Sequence, residues 1–343
     1  MFSPAESTPK GTPPKETLPS LEELLASAHV VSIPMRVKFR GVLHREVMLF
    51  DGPAGWGEFG PFLEYGPDES SRWLAAAIEA AWQGFPPPLR TSIAVNATVP
   101  AVAPGRVADV LAGFGRVDAI KIKVAESGQT PADDLARVAA VRAAAPNARL
   151  RVDANGGWDV PTAVATLNAL AQYNLEYAEQ PVPDVPGLAE TRRQLRATGN
   201  PLLIAADESV RKAEDPLKVA RAGAADLIIV KVAPLGGVQR ALDIVAQAGL
   251  PAVVSSALDT SVGIRAGLAL AAALPELPYA CGLGTVSLMA GDVVADSLTV
   301  HDGGITIRDV DPDPALLTQF TAAAPRREWW LQRLREAYAV LSS

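Results

Sequence analysis

The chain's 343 residues exceed the roughly 250 of a minimal eight-fold βα barrel by enough for a modest second domain. With 49% hydrophobic and 20% charged residues it has the apolar surface for a large core, which excludes disorder of the whole chain. A net charge of −7 without a Lys/Arg-rich run argues against a nucleic-acid partner, and the lack of any run of about 18 apolar residues argues against a membrane protein.

Residues 1–23 read as a flexible tail: MFSPAESTPKGTPPKETLPS is rich in Pro, Ser, Thr and Lys and lacks the apolar stretch of a secretion signal. The sole cysteine, Cys281, excludes an internal disulfide framework and fits a reducing compartment, so the cytoplasm is the expected location. Residues 24–90 read as an α+β unit. VVSIPMRVKF and REVMLFDG form antiparallel strands with Asp51-Gly52 as a turn signal, and SSRWLAAAIEAAWQGF is a helix started by Ser70 or Ser71 and ended near Gly84. Pro86-Pro87-Pro88 punctuates the boundary.

Residues 91–284 read as eight βα units, with strands near 93–98, 117–123, 149–153, 175–179, 202–206, 226–231, 251–255 and 278–282. Alanine-rich helices such as PADDLARVAAVRAAA and PTAVATLNALAQY lie between them, with Pro131 and Pro161 in their first turns. Residues 285–343 regain strand-like character around a Gly-Gly turn and fold back toward the N-terminal unit. The final helix, REWWLQRLREAYAVL, is expected to pack by Trp329, Trp330, Leu334 and Tyr338. The expected fold is therefore α/β: a (β/α)8-type barrel with an α+β N-terminal capping domain completed by the C-terminal segment.

Charges end the apolar runs of the barrel part: Lys121 and Lys123 in AIKIKVA, Asp153 in RVDANGGW, Glu179 in YAEQP, Asp207 in AADES and Lys231 in IIVKVAP. The period-2 rule puts Lys121 and Lys123 on one strand face, roughly 7 Å apart, and aligns Arg151 with Asp153, Tyr177 with Glu179, Ala205 with Asp207 and Ile229 with Lys231. These are inward positions of a closed barrel, whose active site lies at the C-terminal strand ends.

Taken singly, an acid after a strand commonly caps the next helix, and a strand-end lysine commonly just reaches water. Three acids on successive units, flanked by lysines, are a costly arrangement that stability alone does not require. A hard divalent cation resolves it: Mg²⁺, with Mn²⁺ as the alternative, takes oxygen ligands, here Asp153, Glu179 and Asp207. His29, His44 and His301 all lie outside the barrel repeats, which disfavours a zinc site. A lysine flanking such a cation suits removal of a proton next to a carboxylate, because nearby positive charge favours its neutral, basic form and stabilises the enediolate that results. Lys121 and Asn155 are expected to support this electrostatically. Ser255 and Ser256 either donate to a substrate carboxylate or cap a helix.

The K-x-K at Lys121 and Lys123, DANGGW at Asp153, EQP at Glu179, DES at Asp207 and KVAPLGG at Lys231 together resemble the enolase superfamily, in the order of its muconate-lactonising branch, over about residues 28 to 310. Lysine bases with Mg²⁺ are the general pattern of that superfamily. FRGVLHREVMLF, GWGEFGPF, SSALDTSVG and ACGLGT carry the closer likeness, to the o-succinylbenzoate synthase family of menaquinone biosynthesis. The likeness implies syn-elimination of water from a small carboxylate, 2-succinyl-6-hydroxy-2,4-cyclohexadiene-1-carboxylate. Lys123 is then base and acid, and Lys231 stays protonated on the opposite face. Some members carry an arginine after DAN, where this chain has Gly156. Two bases also suit an N-acylamino acid racemase or dipeptide epimerase of the same superfamily. A Schiff-base lyase using Lys231 leaves the three acids without a purpose, and a non-catalytic binding barrel is the remaining class.

Overall fold

A computed structural model describes residues 18–39, 41–210 and 215–343. The chain enters through a capping box: the Ser20 hydroxyl accepts from the Glu23 amide, and Glu23 accepts from the Ser20 amide at 2.7 Å, which starts α1 (Leu21–Ala26). The tail expected through residue 23 thus falls outside the described residues as far as 17, and its last three residues are helical instead. Strands β1 (Ala28–Phe39), β2 (Val42–Gly52) and β3 (Gly55–Phe59) form an antiparallel sheet in that order. Gly52 pairs with Gly55 inside the ladder, so the reversal falls at 53–54 and not at Asp51-Gly52. Helix α2 (Pro67–Ile78) begins at Pro67 behind Gly66, earlier than Ser70, because proline is pre-set for the first helical position. It continues as a π-helical turn, Glu79–Gln83, closed by Gly84.

Next come β4 (Ser92–Ala94), β5 (Ala97–Val99), α3 (Val107–Ala112), β6 (Ala119–Lys123), α4 (Pro131–Ala144), β7 (Arg149–Asp153) and α5 (Val160–Leu170). They are followed by β8 (Leu175–Glu179), α6 (Val185–Ala197), β9 (Leu203–Ala206), α7 (Asp215–Arg221), β10 (Leu227–Val230), α8 (Val232–Leu235), α9 (Val238–Ala248), β11 (Ala252–Val254) and α10 (Ser261–Ala273). Strands β5 to β11 make a seven-stranded parallel sheet in sequence order. The strand expected over 93–98 is split in two. The strand expected at 278–282 shrinks to a pair of bridges, Val95 with Cys281 and Ser255 with Gly282. Those bridges still close the barrel, since Cys281 bonds Ala94 and Asn96 on one side and Gly282 bonds Val254 and Ser256 on the other. Tyr177, Ala205, Leu227, Ile229 and Val253 fill the interior as a cluster of their own, while the outward strand residues join the larger core under the helices.

Of the expected C-terminal strand region only β12 (Gly304–Thr306) is extended, and it pairs with β4. The rest of the segment bridges Met289 to Met35 and Thr321 to Val31, then forms α11 (Pro314–Gln319) and α12 (Ala324–Leu341). Trp330 is fully buried, donates to Glu46 Oε2 at 3.0 Å and meets Phe59 edge to face; Arg333 caps the carbonyls of Pro61, Phe62 and Tyr65. Trp329, expected in this contact, is instead 37% exposed, with Arg326 over its ring. No described helix is long and apolar enough to cross a membrane. Replacing Trp330 by Ala is expected to cost about 3–5 kcal/mol in urea unfolding, and Trp329→Ala less than about 1 kcal/mol; equal losses would disprove this account of the helix.

Candidate active site

The parallel register brings the charged strand ends side by side: Lys123 pairs with Asp153, and Asp153 with Glu179. Asp207 follows the end of β9 and Lys231 the end of β10, where it is the residue before α8. Asp153, Glu179 and Asp207 are all nearly inaccessible to solvent. Lys121 Nζ lies 3.0 Å from Glu179 Oε1 and 3.2 Å from Asp153 Oδ2, and Lys123 Nζ lies 2.5 Å from Asp153 Oδ2 and 2.7 Å from Asn155 Oδ1. Lys231 binds both oxygens of Asp207. The expected acids and lysines are thus brought together at one mouth, with Lys121 in direct contact with two acids.

The charges hold each other in place. Burial alone would weaken the Lys121 ammonium, but Glu179 and Asp153 outweigh it and keep the group far above the ordinary lysine range. Burial likewise opposes ionisation of Asp153, yet Lys123 and Lys121 hold its carboxyl well below the usual range. Glu179 is pushed up to about 8 by burial and by the neighbouring Asp153. An all-oxygen, buried donor set with surplus repulsion between its acids fits a hard divalent cation. Among the described residues no group of three acids, histidines or cysteines stands ready-converged to hold an ion, and the lysine ammonium groups lie across the carboxylates.

Further side chains support these acids and lysines. Gln180, at φ 38°, accepts from the Asp207 amide at 2.9 Å and the Ser209 amide at 3.2 Å, so the glutamine of EQP shapes the turn that carries the next acid. Arg137 on α4 donates to the Lys123 carbonyl at 2.9 Å. One layer deeper, Arg151 is fully buried, bonds Glu176 at 2.6 Å and Asn96 at 3.1 Å, and lies 4.8 Å from the Tyr177 ring centre. Asn155 adopts φ 46° and links Lys123 to Glu208. Gly156, where some family members carry arginine, stands at φ 73°, and a Cβ there would lie 3.0 Å from Pro183 Cα, so a side chain at this position would be strained and crowded.

Ser255 and Ser256 line the same cavity as Lys121, Lys123, Asp153, Asp207 and Lys231. Helix α10 is capped by Thr260, not by either serine; Ser256 Oγ donates to the Gly282 carbonyl at 3.0 Å and pairs with Thr285 Oγ1 at 2.7 Å. Phe62 reaches the cavity from the segment after β3, Thr98 from β5 and Thr285 from the start of the C-terminal segment, three contributions that sequence reasoning missed because none ends an apolar run in charge. The three histidines are exposed, away from this mouth. Cys281 is buried, its thiol pushed up to about 12 by burial.

Residues 106–312 match the family model of enolase C-terminal domain-like proteins and residues 30–81 that of enolase N-terminal domain-like proteins. The o-succinylbenzoate synthase of Mycolicibacterium smegmatis is 53% identical over 325 residues, covering 94% of this chain and 99% of that protein. That of Mycobacterium marinum is 54% identical over 324 residues, covering 94% and 96%. In fold, 2-chloromuconate cycloisomerase from Rhodococcus opacus matches with a TM-score of 0.73 at 23% identity over 87% of this chain and 98% of its own. Muconate lactonizing enzyme from Pseudomonas putida matches at 0.71 and 20% identity over 86% and 98%. On these likenesses, joined to the strand-end acids and lysines, the chain belongs to the enolase superfamily and, within it, to the family of o-succinylbenzoate synthases.

Proposed function

We infer that this chain is a carbon–oxygen lyase that dehydrates 2-succinyl-6-hydroxy-2,4-cyclohexadiene-1-carboxylate to o-succinylbenzoate in menaquinone biosynthesis. The carrying observation is the 53–54% identity over 94% of the chain to two o-succinylbenzoate synthases; Lys123 on β6 and Lys231 just after β10, with the acid-bearing strands β7, β8 and β9 between them, line one cavity and supply the two lysines that this reading uses. Lys123 is proposed to take the α-proton of the substrate carboxylate as its neutral amine. The C–H pair moves onto the carboxylate to give the enediolate, then returns into the ring as the C–O bond breaks on the same face. The departing hydroxide then takes the proton from Lys123 and leaves as water, and the ring becomes aromatic. Lys231 stays protonated on the other face, where it stabilises the enediolate and the developing ring charge.

Family membership brings a divalent cation. Asp153, Glu179 and Asp207 are the residues proposed to hold it, with Mg²⁺ preferred over Mn²⁺; bound there it supplies Lewis-acid stabilisation of the substrate carboxylate. Lys121 is proposed to hold Glu179 and Asp153 in place, Asn155 to orient Lys123, and Ser255 and Ser256 to offer hydroxyls to the substrate. Residues 24–90, completed by 285–343, are proposed to cap a barrel spanning 91–284. The cytoplasm is the proposed location, and no nucleic-acid partner is proposed for a chain of net charge −7.

A spectrophotometric dehydration assay with Mg²⁺ should show rapid aromatisation that EDTA abolishes and added Mg²⁺ restores. Activity that survives exhaustive chelation would remove the cation from the proposal. In the same assay Lys123→Ala should lose about 10³-fold or more in kcat, and Lys231→Ala about 10²- to 10³-fold, both proteins remaining folded. A folded, Mg²⁺-loaded enzyme that leaves this substrate untouched but exchanges the α-proton of N-acylamino acids in D₂O would make it a racemase instead.

A further inference from the structure

Glu58 on β3 reaches out of the N-terminal sheet into the loop that follows β11. Its Oε2 accepts from the Thr260 amide at 3.1 Å, the Thr260 hydroxyl at 2.5 Å and the Gly263 amide at 3.1 Å, while Oε1 is buried and has no partner. The fit is close: a Cβ on Gly263 would lie 2.7 Å from Asp259 Cβ and 3.0 Å from Glu58 Cδ. Arg45 on β2 holds the same loop from the other side, donating to the Leu258 carbonyl at 3.0 Å, with its guanidinium 4.9 Å from the ring centre of Phe62. Leu258 stands at φ 67°, a left-handed conformation that a leucine keeps only under external restraint. Ser255, Ser256, Ala257 and Leu258 form one wall of the catalytic cavity, and Phe62 belongs to it as well.

We infer that Glu58 is a positioning residue for the reaction: acting through Thr260 and Gly263, it fixes the segment 255–258 that walls the catalytic cavity, an assignment that rests on the function proposed above.

Behind that wall Glu58, Asp259 and Ser255 share a small cavity of about 20 Å³, room for one water, to which α2, α8 and α10 contribute only apolar side chains and glycine. The charged groups that bear on the pair are Arg45 from β2 and Lys231 from the end of β10. Burial and the Asp259 carboxylate push Glu58 up to about 8 against the pull of Arg45, and burial raises Asp259 as well. That upward push favours the neutral acid form of Glu58 near pH 7. Since Oε2 already accepts three bonds, the proton resides on Oε1, facing the cavity. Its loss above about pH 8 sets two buried like charges beside each other and loosens the wall.

The test follows kcat and KM of the Mg²⁺-loaded wild type, Glu58→Gln and Glu58→Ala from pH 6.5 to 9.5, with the Tm of each from pH 5 to 9. Wild-type KM should climb above about pH 8, by up to about tenfold per unit, whereas Glu58→Gln, which keeps the acceptor and places an amide donor at Oε1, should not climb. Glu58→Ala should raise KM about tenfold at pH 7 with a much smaller change in kcat, and Glu58→Gln should restore it. The folded state keeps a proton that the unfolded chain releases near the ordinary glutamate value of 4.5, so wild-type Tm should fall relative to Glu58→Gln as pH rises from about 5 to 8 and level off beyond. A Gln variant whose KM climbs with the wild type, parallel Tm curves, or a folded Ala variant with wild-type KM would overturn the inference. If Glu58→Ala does not fold, the Gln comparison decides. A wild type without turnover, but with diverging Tm curves, rejects the proposed reaction and Glu58's part in it while retaining the neutral acid.

Discussion

Asp153, Glu179 and Asp207 are acids buried at the ends of adjacent parallel strands, and the rest of the barrel mouth answers their charge. An unpaired carboxylate in such a place costs several kcal/mol, so the three lysines beside them are a condition of the fold. Lys121 serves two acids at once, while Lys123 pairs with Asp153 and Lys231 with Asp207 toward the two ends of the network. The layer beneath repeats the logic in reverse: Arg151, buried below Asp153, is balanced by Glu176 and by the face of Tyr177.

Charge balance fixes the floor of the site; its walls come from elsewhere. The loop after β11 carries both serines, yet it is held by Arg45 and Glu58 of the N-terminal sheet. That sheet is in turn strapped to the barrel by the C-terminal segment, through the Met289–Met35 and Thr321–Val31 bridges and the burial of Trp330 against Phe59. The two parts of the site therefore share one architecture, because the N-terminal unit has no complete core without the chain's last helix.

The strand ends with charge were legible because a buried lysine or acid at a fixed parity has few bland explanations once it recurs on successive units. The five strands from β6 to β10 lie within two residues of where the apolar runs place them. Strand edges with small residues were not: ACG at 280–282 carries no alternation to reveal that it makes only two bridges, and Asn96 interrupts the run over 93–98. Trp329 and Trp330 are adjacent in sequence, and only the placement of α12 on α2 and Phe59 sends one inward and the other to solvent.

By itself, then, the sequence determined the repeat, the parity and the chemical identity of the groups at the barrel mouth, because those follow from local periodicity and residue type. The tertiary structure decided which groups touch. It set Lys121 between two acids, closed the barrel through Cys281 and Gly282, and joined Glu58 to Thr260 across more than half the chain. Contacts of that kind depend on how separate elements pack, and no local pattern encodes the distance between them.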